Sequence, residues 1–336
     1  MLTMNIVTVA MPSPALGQSF WIQAPTLTEK NLDDQKGKVF IVTSGYVGVG
    51  YQLCRILYQR YGTVYIAGRS KHKADAAISA IKKEYPLSQG RLEFLELELA
   101  DLTSVAKAAS DFMSREDRLD VLTNNAGVCE PPAGSKTCQD HELQMGTNCL
   151  GPFLFTKLLL PILRKTASTA PPGSVRVTRA GSLGAQLQSP LNGIQFDGDG
   201  SPQNHTSQGV NYGQSKAGNF YLAREFAKRL DDSGVVSVAF NPGNLRSEMQ
   251  RHGSTMRKVL VHIMSHSAVY GAYTELYAGW SKDITLENTG AWVIPWGRFG
   301  HLRDDIEKGC ENGVSAKLWA WCEAESDEFY SEVTQD

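Results

Sequence analysis

A chain of 336 residues, 42% hydrophobic and 20% charged, can bury one large core and has a normal length for one α/β domain with extensions. Its net charge of −2 gives no basic footprint for nucleic acid or an anionic membrane surface. No apolar run reaches the roughly 18 residues of a membrane span, so no span is predicted. The mildly apolar start has no basic segment and is broken by Pro12 and Pro14, which argues against a signal peptide. Cysteines 54, 129, 138, 149, 310 and 322 show no C-x-x-C spacing and read as reduced thiols of a cytoplasmic protein.

In chain order, residues 1–37 read as an extension outside the core, its prolines discouraging regular structure. A strand is expected at Val39–Thr43, a helix at Val49–Tyr61 and a strand at Thr63–Ala67. Helix 72–85, strand Leu92–Leu97, helix 103–116 and strand Asp120–Thr123 follow. Helix 141–164, strand Ser174–Thr178, helix 212–230 and strand Val235–Phe240 complete the series. Apolar strands separated by amphipathic helices predict an α/β fold, a doubly wound parallel sheet of the Rossmann type in one domain over 38–336. Its ligands are expected beyond the carboxyl ends of the strands. Two stretches break the rhythm. Residues 184–211, rich in Gly, Gln, Asn, Pro and Ser, read as an inserted loop beside the site, and 244–282 as a helical substrate lid.

The chemistry-bearing residues come in a fixed order. Thr43-Ser44-Gly45-Tyr46-Val47-Gly48-Val49-Gly50 joins the first strand to the first helix, where backbone N–H groups and the helix dipole favour a phosphate. Asn124-Asn125-Ala126-Gly127, Asn148 and Ser182 come next, then Tyr212 and Lys216, one helical turn apart and therefore on one face. A cation roughly 4–5 Å from the phenol, at an effective dielectric near 20, would stabilise the phenolate by roughly 3–4 kcal/mol. Such a tyrosine would be a usable acid/base. His262 and His266 have metal-ligand spacing, but no third ligand is evident and no metal is expected.

This ordered set resembles the short-chain dehydrogenase/reductase family from about Lys38 to Phe299. The resemblance implies that Asn148, Ser182, Tyr212 and Lys216 are catalytic. Ser182 would bond the substrate oxygen, and Asn148 would position a relay water near the lysine. Ser44, Gly45, Val47, Gly48 and Val49 would hold the dinucleotide's phosphates, although Ser44 stands on the family's first glycine. Asp101 and Leu102 would border the adenine, and Asn125, Ala126 and Gly127 would line the cofactor. Pro242, Gly243, Leu245 and Ser247 would hold the nicotinamide carboxamide. Tyr212 and Lys216 would also touch the cofactor.

At the end of the second strand, Gly68 stands where NAD-selective proteins carry an acid. Arg69 can pair with a 2′-phosphate, so NADP(H) is the expected cofactor. The expected reaction interconverts a ketone and a secondary alcohol on a bulky apolar small molecule. Tyr212–Gly218 and Ile294–Arg298 resemble filamentous-fungal members, many of them in secondary metabolism. The alternative is a non-redox isomerase, dehydratase or cyclase on this scaffold; a third class is a cofactor-sensing protein with a vestigial site. Helices 141–164 and 212–230 build dimer interfaces in the family, so a homodimer is an open expectation.

Overall fold

The computed structural model describes Gln18 and residues 22–230, 233–245 and 266–334. β1 (Val39–Thr43) shows how the core is specified, because successive side chains of a strand point to opposite faces. Val39 and Ile41 enter one apolar cluster, Phe40 and Val42 the other. The same alternation divides Tyr65 and Ala67 from Val64 and Ile66 in β2 (Thr63–Gly68). Both faces of the sheet are therefore buried, as parallel strands require.

The remaining strands are β3 (Arg91–Glu96), β4 (Val121–Asn124), β5 (Val175–Ala180), β6 (Val235–Phe240), β7 (Trp292–Ile294) and β8 (Arg298–Gly300). They stand in the order β3-β2-β1-β4-β5-β6-β7-β8, parallel except for the antiparallel β7–β8 pair. The expected doubly wound sheet is present. β1 and β4 are neighbours but not consecutive in the chain, so the topological switch point opens a crevice at their carboxyl ends.

The helices are α1 (Gly48–Gln59), α2 (Lys71–Glu84), α3 (Leu102–Arg115), α4 (Leu143–Ala167), α5 (Gly184–Leu187), α6 (Gln208–Arg229), α7 (Ala268–Trp280), α8 (Asp304–Gly309) and α9 (Val314–Thr334). α1, α2 and α7 pack on one face; α3, α4, α6 and α9 pack on the other. α4 is apolar enough by composition to cross a membrane, yet 83% of its apolar window is buried in the domain. All six cysteines are free.

Several expectations need adjustment. Of the helical lid read over 244–282, residues 246–265 lie outside the described residues. α7 is a core helix: Ala272 and Leu276 are buried against the α1 face of the sheet. The extension is not wholly apart from the core, since Leu32 is buried under α1 and Gln35 N–H donates to the Arg60 carbonyl at 2.8 Å. The α4 and α6 faces expected to build a homodimer carry α9. Trp319 of α9 meets Phe153 of α4 and Phe226 of α6 edge-on at 4.9 and 4.7 Å, and Cys322 is fully buried there. A dimer through those faces would have to displace α9.

Candidate active site

The crevice begins at the end of β1. Thr43 Oγ1 accepts the Ala126 N–H at 2.8 Å and donates to the Thr123 carbonyl at 3.3 Å, while Asn125 Nδ2 donates to the Thr43 carbonyl at 2.9 Å. The Asn-Ala-Gly turn after β4 is thereby stitched to the glycine loop after β1. Gly50 is required by this approach: a Cβ there would lie 2.7 Å from Asn125 Nδ2 and 2.8 Å from the Ser44 carbonyl.

α1 starts without a side-chain cap at Val47 and without an acid in its first turn. The helices after β2 and β3 are capped by Ser70 and Asp101. At Gly48, with φ of 57°, a Cβ would meet nothing within 4 Å. An uncapped helix N-terminus beside open space suits the pyrophosphate of a dinucleotide. Gly45 closes the loop from below, since a Cβ there would lie 2.7 Å from Cys54 Sγ. Val49 packs against Gly271 of α7.

Ser44 adopts φ of 54°, a left-handed conformation that glycine reaches without penalty. Ser44→Gly is expected to stabilise the protein by about 0.5–1 kcal/mol, read as a higher urea midpoint. A lower midpoint would mean that the serine side chain makes a compensating contact.

At the end of β2, Arg69 is largely exposed and its Nη1 lies 3.4 Å from Glu98 Oε2. Glu98, beyond the end of β3, escaped the sequence reading. Asp101, expected at the adenine, caps α3 by accepting the Thr103 N–H at 3.0 Å, and Leu102 is buried in the core. The acids Glu96, Glu98 and Asp101 are too close together in sequence for spacing alone to choose between them. Beyond the last β2–β3 pair, Gly68 opposite Glu96, the ion pair singles out Glu98 as the acid beside Arg69.

The third wall lies beyond β5 and along α6, whose N-terminus is capped by Ser207. Ser182 accepts the Gly184 N–H at 3.0 Å, and a Cβ on Gly184 would lie 3.0 Å from the Tyr212 ring, so serine and tyrosine share one corner of the crevice. Lys216 donates to the Ala180 carbonyl at 2.9 Å, and its Nζ stands 5.7 Å from the centre of the Tyr212 ring. Asn219, one turn further, donates to the same carbonyl at 3.0 Å. Its i+3 spacing from Lys216 was the signal that could have found it.

Asn148 is fully buried within a π-helical segment, Gly146–Leu150, of α4. It donates to the Val128 carbonyl and Ser215 Oγ at 3.0 and 2.9 Å and accepts the Val128 N–H at 2.8 Å. A Cβ on Gly127 would lie 3.0 Å from both Asn148 Oδ1 and Lys216 Nζ. Asn148, Ser182, Tyr212, Lys216 and Gly127 are thus brought together.

Further along, Asn241 Nδ2 donates to Gln18 Oε1 at 3.1 Å, tying the extension to the Pro242-Gly243 turn. Leu245 is buried against Gly271, and Ser247 lies outside the described residues. His262 also lies outside them, while His266 stacks edge-on against Tyr270 and Trp296.

The electrostatics depart from the sequence expectation. Burial pushes the Tyr212 phenol above its ordinary range, Cys129 and Glu130 push it further, and the Ser182 hydrogen bond opposes them. Lys216 is brought down to about 8 by burial. The Lys216 ammonium is held by the Ala180 carbonyl, 5.7 Å from the centre of the tyrosine ring. The arrangement holds a protonated phenol near a serine hydroxyl and beside a lysine charged below about 8. That suits proton donation to a developing oxyanion.

A family model described as short chain dehydrogenase matches residues 38–174. A short-chain dehydrogenase/reductase of Emericella nidulans is 43% identical over 307 residues, covering 90% of this chain and 97% of that protein. Another from Pestalotiopsis fici is 41% identical over 314 residues, covering 92% and 96%. Among solved structures, a protein of Mycobacterium paratuberculosis superposes with a TM-score of 0.66 at 26% identity, covering 90% of this chain and 97% of that one. The fold, the ordered site and this likeness agree: the chain belongs to the short-chain dehydrogenase/reductase family.

Proposed function

We propose that this protein interconverts a ketone and a secondary alcohol on a bulky, largely apolar small molecule with NADP(H), Tyr212 acting as proton donor in the direction of reduction. The observation that carries the reading is the convergence of Asn148, Ser182, Tyr212 and Lys216 at the carboxyl end of β5, across the crevice from the uncapped start of α1.

Each residue has a physical task. Ser182 and Tyr212 donate to the carbonyl oxygen, so charge that develops there meets two hydrogen bonds. Tyr212 delivers the proton, and the Lys216 ammonium, charged below about 8, limits the cost of leaving phenolate behind. Asn148 fixes Val128 and Ser215, and so holds the strand-β4 turn against α6. Ser44, Gly45, Val47, Gly48 and Val49 would hold the pyrophosphate, Asn125, Ala126, Gly127, Pro242 and Gly243 the nicotinamide side, and Arg69 the 2′-phosphate. When bound, the dinucleotide supplies or takes up the hydride.

An apolar substrate is supported by Leu187 and Leu191 in the inserted loop, 65% and 68% exposed, and by the Tyr270–Trp296 pair at 5.2 Å. Fungal relatives make a secondary-metabolite intermediate the natural class to screen. The test is loss of reduced-nicotinamide absorbance with NADPH and a panel of such ketones. The non-redox reading is favoured by one observation, the altered glycine loop, in which Ser44 stands at φ of 54°. Product formed without cofactor consumption would establish that reading instead.

Glu98 competes with a 2′-phosphate for Arg69. Glu98→Gln is expected to tighten NADPH binding by about two- to fivefold, the size of an exposed ion pair, and to leave NADH binding unchanged. Isothermal titration reads both; an equal gain for NADH would remove Arg69 from the 2′-phosphate site.

A further inference from the structure

Gly68 is the last residue of β2, at the position where an acid would accept both hydroxyls of the adenosine ribose. A Cβ built on it would lie 2.4 Å from Cε1, 2.9 Å from Oη and 3.0 Å from Cζ of Tyr46. All three nearest atoms belong to that one ring. The space that the stem of an acidic side chain would need is therefore filled by a phenol arriving from the glycine loop. The loop is fastened so that it arrives there: the Ser44 N–H donates to the Ala67 carbonyl at 2.7 Å, one residue before Gly68. Gly45 is pressed onto Cys54, and the Tyr46 ring is half-buried against the cluster beneath α1 and α2.

Resting on the NADP(H) reading, we propose that Tyr46 is a specificity-determining residue for the adenosine end of the cofactor. Its ring excludes an acidic side chain from position 68. Its hydroxyl places a neutral hydrogen-bond donor where that acid's carboxylate would stand. A carboxylate would repel a 2′-phosphate, whereas a phenol can donate to it, beside the guanidinium of Arg69. Tyr46 and Gly68 then form one unit, the bulk of the first answering the missing side chain of the second.

Two measurements test the two halves. The steric half is read without any dinucleotide, from thermal unfolding of Gly68→Asp and the milder Gly68→Ala in the native and Tyr46→Ala backgrounds. Each substitution at 68 is expected to lower Tm in the native background and to lower it less where the ring has been removed. Equal losses in the two backgrounds would overturn the steric half. The hydrogen-bonding half is read by titrating NADPH and NADH into Tyr46→Phe, which keeps the ring. NADPH binding is expected to weaken about tenfold, the worth of one hydrogen bond to a charged group, with NADH binding nearly unchanged. An unaltered NADPH-to-NADH ratio would overturn it. If the native protein itself binds NADH more tightly than NADPH, the cofactor reading fails, and the unfolding comparison still decides whether ring and glycine are coupled.

Discussion

Replacing Tyr212 with phenylalanine is expected to lower kcat by about 10³-fold, the share that a positioned proton donor contributes. Stability and cofactor binding should change little, because the ring and its packing stay. Steady-state turnover beside a cofactor titration separates the two effects. A loss under about tenfold would assign the proton to another group, and Glu130 would be the first candidate. The expectation does not require a phenol acidified in advance. Burial keeps Tyr212 protonated throughout the neutral range, as a donor for ketone reduction should be. Oxidation of the alcohol would instead need the phenolate, so the reverse reaction should be favoured only by alkaline conditions.

How far the site was legible depends on what each residue needs around it. β1, β2, β4 and β6 were readable because each is a short, largely apolar run between helical segments, whereas β3 and β5 carry charges and were read from their place in the alternation. β7 and β8, three residues each, are too short to carry a period. The stretch read as a lid includes α7, whose Ala272 and Leu276 pack into the core beside α1, a tertiary contact that composition does not show. The Tyr212–Lys216 spacing put both side chains on one helix face, and that held. Where the lysine points was set by the Ala180 carbonyl at the end of β5, a tertiary partner that helical spacing does not contain. Likewise the cap that Asp101 gives α3 became visible only with that helix in place.

Arg179 is a charged residue inside the buried strand β5, and its position is costly. It is fully buried, donates to Thr156 Oγ1 at 3.0 Å, and lies 4.5 Å from the centre of the Phe226 ring. Its Nε and Nη1 find no partner among the described residues, and burial brings the guanidinium down to about 10. Around it are the Cys149 and Cys322 thiols, whose own ionisation burial opposes, and among the described residues no carboxylate pairs with the guanidinium. An uncompensated buried ion destabilises relative to an apolar side chain of similar length. Arg179→Met is therefore expected to raise stability by about 1–3 kcal/mol, several degrees in Tm. Thermal and urea unfolding check it. A fall in stability would mean that the Phe226 and Thr156 contacts outweigh the desolvation of the cation.

Glu275 presents the same problem on the opposite face. Both carboxyl oxygens are buried without a partner among the described residues, and burial raises the group well above the usual carboxylate range. Because the folded-state pKa is raised, its neutral form is the one compatible with the fold. Its contribution is most favourable at acidic pH and is lost as pH rises.

The proposal that Tyr212 protonates a carbonyl while hydride arrives from a nicotinamide is tested most directly by following an isotope. NADPH deuterated at both positions of its nicotinamide C4 would be incubated with the protein and a ketone that it converts, and the product analysed by mass spectrometry and NMR. The expected product is an alcohol carrying one deuterium on the carbinol carbon, formed with one equivalent of oxidised cofactor. A rearranged or dehydrated product without deuterium, and with the cofactor unchanged, would contradict the account.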